Sequence, residues 1–169
     1  MKEKSNSTEP LIKTFSGPVY LLNKVRREHS ALVEALNEGN LEIAMDAVFN
    51  FSVSAYHIID WVNKYRPDLK EKTSSLRRRP SMKLVRDICN ASKHVELDEN
   101  KDAYKKYPQS AASVEVSLTA KDCLPGLPVA GAWALKVVTV NDERKRFEDI
   151  AQSAITDVEQ FFEENDISE

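Results

Sequence analysis

Residues 41–65 read LEIAMDAVFNFSVSAYHIIDWVNKY, and the spacing of their apolar side chains decides the fold. At about 100° per residue, with Phe51 set at zero, nine positions fall within about 80° of it: Leu41, Ala44, Ala47, Val48, Ala55, Ile58, Ile59, Trp61 and Val62. Asp46, Asn50, His57, Asp60 and Lys64 fall on the other side. This is a long helix with a wide core-facing arc. Asn40 stands where a side-chain cap is wanted. Pro67 stops the helix, because the residue before a proline disfavours helical geometry.

Working back toward the N-terminus, Ser16-Gly17-Pro18 opens an earlier helix with proline in its first turn. Leu21, Leu22, Val25, Leu32, Val33 and Leu36 recur there at helical spacing. Glu38-Gly39-Asn40 ends it, glycine being suited to the left-handed conformation that closes helices. Met1 to Pro10 is polar and has none of the apolar run of a secretory signal. Residues 1–15 therefore read as a flexible tail and 16–165 as a single domain.

Working forward, Asp68 to Arg79 reads as a polar connector with room for a helical turn. Pro80 suits the first turn of a further helix running to about His94, with Met82, Leu84, Val85, Ile88, Cys89 and Ala91 as its apolar residues. Glu96 to Ser110 is charged and poor in apolar residues, so it reads as a loop. The period then changes to two. Val114, Val116 and Leu118 alternate with polar residues, and Trp133, Leu135 and Val137 repeat the pattern. Turn chemistry, Asp122-Cys123-Leu124-Pro125-Gly126-Leu127-Pro128, lies between them. Asn141 is placed to cap the last helix, with Asp142 and Glu143 after it. Its stripe is Phe147, Ile150, Ala154, Ile155, Val158, Phe161 and Phe162. The expected fold is mainly α: a four-to-five-helix bundle with one antiparallel β-hairpin, at about residues 112–140, inserted before the C-terminal helix.

Composition narrows the functional classes. The chain has 169 residues, 41% apolar and 30% charged, which is ordinary for a domain with a real core. No run approaches the roughly 20 apolar residues that cross a bilayer, so no membrane partner is expected. Cys89 and Cys123, without a secretion signal, suggest thiols in the cytoplasm rather than a disulfide framework. Cys89, among Val85 and Ile88, reads as core. Only four glycines occur, and neither a glycine-rich phosphate loop nor a Gly-x-Ser-x-Gly elbow is present. No nucleotide-dependent α/β enzyme and no cofactor are expected. No second Cys/His pair falls at ligand spacing, so no structural zinc is expected; two histidines, His57 and His94, with an aspartate are a weak metal signal, and no metal site is assigned.

The net charge of −3 hides a polarised distribution. Lys72, Arg77, Arg78, Arg79, Lys83 and Arg86 run without an intervening acid. From Asp142 onward acids far outnumber Arg144, Lys145 and Arg146. Such a chain can serve an anionic partner, or its two regions can serve each other in a dimer; two solvated faces are the plain alternative.

Two clusters can carry chemistry. In Arg86-Asp87-Ile88-Cys89-Asn90-Ala91-Ser92-Lys93-His94, helical spacing puts Asp87, Asn90 and His94 nearly in line, beside a cationic row of Arg86 and Lys93. His94 can move a proton while Arg86 or Lys93 offsets charge on a phosphodiester. The same residues can equally satisfy the last carbonyls of a helix end. In the second cluster His57, Asp60 and Lys64 share one face of residues 41–65, with Asp60 able to orient His57. Trp61 reads as a core anchor. Arg79 joins the candidate substrate contacts from the basic run.

The helical core and the arginine–polar–…–histidine helix resemble the higher eukaryotes and prokaryotes nucleotide-binding (HEPN) superfamily. Its members are four- or five-helix domains, often dimers, and many are metal-independent ribonucleases of defence and toxin systems. Arg86 followed by Asp87 matches the family's motif, and His94 takes the place of its histidine with seven residues intervening where the family carries four to six. The resemblance covers about residues 16–95 and the last helix. It implies a homodimer acting on RNA, with Arg86 and His94 catalytic; from their spacing and charge, Lys93, Asn90, Asp87, His57, Asp60 and Arg79 are expected to contact the substrate. The combination Ser54-Ala55-Tyr56-His57…Asp60-Trp61 with Asn90-Ala91-Ser92-Lys93-His94 is also similar to a pattern in small bacterial and phage proteins, and that likeness carries no activity with it. The rival expectation is a non-catalytic accessory or inhibitor protein. It would dock a partner protein through the acidic last helix or Arg77-Arg78-Arg79.

Overall fold

The computed structural model describes residues 17–91, 113–118, 133–138 and 143–168. Within them the order is α1 (Pro18–Asn37), α2 (Leu41–Tyr65), a 3-10 turn (Pro67–Leu69), α3 (Lys70–Arg77), α4 (Pro80–Ala91), β1 (Ser113–Leu118), β2 (Trp133–Val138), β3 (Arg144–Arg146) and α5 (Phe147–Glu164). The mainly helical fold with a hairpin before the last helix is thus the fold the chain adopts.

α1 and α2 form an antiparallel pair joined by a tight link at Glu38-Gly39-Asn40. Gly39 takes φ +74°, where a Cβ would be strained. The Asn40 side chain accepts from the Ile43 N–H at 3.2 Å and so satisfies one of the open donors of α2. Asn40→Ala should cost about 1 kcal/mol of unfolding free energy in urea.

α2 is the central element, packed by α1, α4 and α5. Its Ala44, Ala47, Val48, Phe51, Ala55, Ile58, Ile59 and Val62 are buried. α4 adds Met82, Val85, Ile88 and Cys89, and α5 adds every residue of its expected stripe. β1 pairs antiparallel with β2, from Ser113↔Val138 to Leu118↔Trp133. Leu135 and Val137 lie fully buried on the inner side of β2. Among the described residues no helix is long and apolar enough to cross a membrane.

Four local expectations are corrected. The connector 68–79 is the 3-10 turn plus α3, held by buried Leu69, Thr73 and Leu76. The last helix begins at Phe147 with Glu148 and Asp149 in its first turn, not at an Asn141 cap; Asn141 and Asp142 lie outside the described residues. The three residues before it, Arg144–Arg146, pair with β2 as a third strand instead. Val33 is 38% exposed rather than core, because α1 turns that position away from α2 and buries Ala35 and Leu36. The tail 1–15, the loop 96–110, the 122–128 turn and Cys123 also lie outside the described residues.

Candidate functional site

Asp87 is a carboxylate at a core position of α4, 2% exposed. Such burial is costly without compensation. Arg86 supplies it: its Nε and Nη2 both donate to Asp87 Oδ1, at 2.8 and 2.7 Å. The Arg86 side chain keeps 27% of its surface exposed. The guanidinium is therefore held along one edge by a buried carboxylate, while part of the Arg86 side chain stays exposed. Asn90, one turn on, is half-buried. Lys93 and His94 lie outside the described residues.

In the second cluster His57 and Asp60 come together as the helical spacing implies. His57 Nδ1 lies 3.3 Å from Asp60 Oδ2. Asp60 Oδ1 lies 3.6 Å from Arg77, and the Arg77 guanidinium sits 5.9 Å over the Tyr56 ring. Arg77 is a member that helical spacing within α2 does not reveal, since it arrives from α3. Trp61 packs on the core and stacks on Tyr65 with centroids 6.0 Å apart.

Arg79 has a structural task. Its Nη1 donates to Asp157 Oδ1 at 2.8 Å and to Gln160 Oε1 at 3.2 Å, and Ser81 Oγ donates to the other oxygen of Asp157. This clamp ties the start of α4 to α5. Arg26 pairs likewise with Glu159 at 2.7 Å, and Lys72 donates to Asn165 Oδ1 at 2.7 Å. Part of the basic middle and the acidic end thus serve each other within one chain.

Two clefts flank β3. A groove of about 530 Å³ runs between Pro80-Ser81 and Leu84 of α4, Arg144–Arg146, and Ile150 of α5. A smaller one of about 320 Å³ holds His29, Arg146 and Glu148, with Arg146 donating to Glu148 Oε1 at 2.6 Å. Glu148 Oε2 is buried with no hydrogen-bond partner. No sequence motif marks these residues; a basic triplet just ahead of the apolar stripe is the only signal.

Burial holds the His29 imidazole below its ordinary 6.5, with the charge of Glu148 opposing in smaller part. The folded protein therefore resists a proton that the unfolded chain accepts. Stability from this source is present above about pH 6.5 and lost as the pH falls through the folded value. The urea midpoint of the parent chain should decline between about pH 7 and 5.5, and His29→Asn should flatten that decline. An equal decline in both proteins would assign it to other groups.

Among the described residues no group of three or more His, Cys, Asp or Glu side chains is placed to hold a metal ion. No protein-family model, curated protein or solved structure matches the chain.

Proposed function

We propose that this chain is a cytoplasmic, HEPN-like domain that acts as a homodimer, binds RNA and cleaves it without a metal ion, as a component of a bacterial or phage defence or toxin system. The observation that carries the reading is Arg86 held by the buried carboxylate of Asp87. A guanidinium fixed through Nε and Nη2 keeps further N–H donors for a phosphate, in a geometry already chosen.

In the reaction His94 takes the proton of the ribose 2′-hydroxyl. The freed oxygen bonds to phosphorus and the bond to the 5′-oxygen breaks, leaving a cyclic phosphate and a 5′-hydroxyl protonated by solvent. Arg86 offsets charge on the non-bridging oxygens. Asn90 and Lys93 contact the strand, and Asp87 is a positioning residue. His57 and Asp60, with Arg77, extend the contact surface. Arg79 joins only where phosphate replaces Asp157.

The test is cleavage of an RNA panel by the purified chain in excess chelator, comparing wild type with His94→Ala at matched circular dichroism. A loss of about 10²-fold or more in the folded variant is expected. Undiminished cleavage by His94→Ala, or none by wild type, overturns the catalytic reading.

One observation favours the second reading, a non-catalytic accessory or inhibitor protein. Ile43, Met45 and Phe49 of α2 are exposed, and Met45 and Phe49 stand one turn apart on the same side. Against its use of Arg77-Arg78-Arg79 and the acidic helix as docking surfaces stands the Arg79–Asp157 clamp. Under that reading alanine at Arg86 changes stability and no activity.

A further inference from the structure

We propose that the groove between α4, β3 and α5 is a second RNA subsite, where Arg144 and Lys145 contact phosphates and the Leu84–Ile150 floor takes a base. The inference rests on the RNA-binding reading above.

Two features support it. First, Arg144, Lys145 and Arg146 are consecutive, all exposed, and all line the groove. On a strand, which replaces the helix that sequence order suggests for this region, side chains alternate, so Arg144 and Arg146 share one side and Lys145 takes the other, and all three border the groove. Second, the floor is apolar and the volume of about 530 Å³ lies within the usual range for a small-ligand pocket. Leu84 is half-buried and Ile150 buried, so a base there covers apolar surface while its phosphates stay at the basic rim.

Of the acids that line the groove or pair with its cations, three are engaged. Asp157 is engaged by Arg79 and Ser81. Glu143 pairs with Lys145 at 3.1 Å, with both side chains about half exposed, and Glu148 pairs with Arg146. An exposed pair such as Lys145–Glu143 is easily exchanged for phosphate. Asp149 remains on the α5 wall as a charge that opposes the strand.

The experiment is fluorescence anisotropy of a labelled 2′-O-methyl oligouridine, which lacks the attacking hydroxyl, titrated with the full chain across a salt series. The proteins are wild type, Arg144→Gln/Lys145→Gln, Asp149→Asn and Arg86→Ala. Arg146 is left in place because it holds Glu148. The double variant should bind about tenfold more weakly at low salt, and its log–log salt slope should fall by about 1.4, at roughly 0.7 per lost single-strand phosphate contact. Asp149→Asn should bind more tightly than wild type. An unchanged affinity and slope in the double variant, while Arg86→Ala weakens binding, overturns the subsite and leaves the RNA-binding reading standing. No binding by wild type overturns both.

Discussion

Phe51→Ala should lower the unfolding free energy by about 3–5 kcal/mol, the largest stability effect expected of a single truncation here. Phe51 is fully buried at the middle of α2. Its ring meets Phe147 edge-on at 5.6 Å and His29 at 6.4 Å. One side chain thus touches α1, α2 and α5, and Phe147 is also the residue at which β3 passes into α5. Truncation removes the transfer energy of the ring and leaves a cavity that three elements must close, which a packed interior does poorly. The melting midpoint should fall by roughly 2–4 °C per kcal/mol for a chain of this size. Urea unfolding followed by circular dichroism reads the change. A loss under about 1 kcal/mol would show that the core collapses around the gap and that its centre lies elsewhere.

The second large effect concerns Arg86. Under the proposed RNA-cleaving function, Arg86→Ala should reduce cleavage per folded molecule by about 10²–10³-fold, the scale seen when one donor to a developing anion is removed. Arg86→Lys keeps the charge but not the planar fork, so it should recover only part of that loss. Asp87→Asn keeps the shape and removes the charge that fixes the guanidinium. It should lower kcat by about tenfold with a smaller change in KM, as expected of a residue that acts through another. Single-turnover cleavage at matched folded fraction separates these cases. If all three variants cleave as wild type once corrected for folding, Arg86 and Asp87 form an internal ion pair that anchors α4 and nothing more.

How much of this was legible in the chain follows from what each element depends on. α2 and α5 are long, and each carries enough turns for the apolar period to be read without knowing its partner. Both strands of the hairpin likewise show their period of two. α3 could not be read that way. Its eight residues fall below the length at which a helix holds by itself, and it stands because Leu69, Thr73 and Leu76 find a place against the rest.

β3 is the clearest case on the other side. Arg-Lys-Arg has no alternation, and nothing in the triplet favours a strand. It becomes one because β2 offers a pairing edge, with Lys136 opposite Arg146, Val137 opposite Lys145 and Val138 opposite Arg144. The start of α5 moves to Phe147 for the same reason, and with it the basic groove comes into being.

The candidate site divides in the same way. Helical spacing alone puts Arg86 beside Asp87, and His57 within reach of Asp60. Nothing in that spacing says that Asp87 is buried, that Arg77 closes on Asp60, or that Arg79 is held by Asp157. The last pair is 78 positions apart. Local periodicity, a property of neighbours in the chain, determined the main helices, the hairpin and the order in which they come. Burial and ion pairing depend on which distant residues share a volume, so only the tertiary structure decided that Arg86 is braced from within, that Arg79 is a clamp, and that three cations line a groove beside an edge strand.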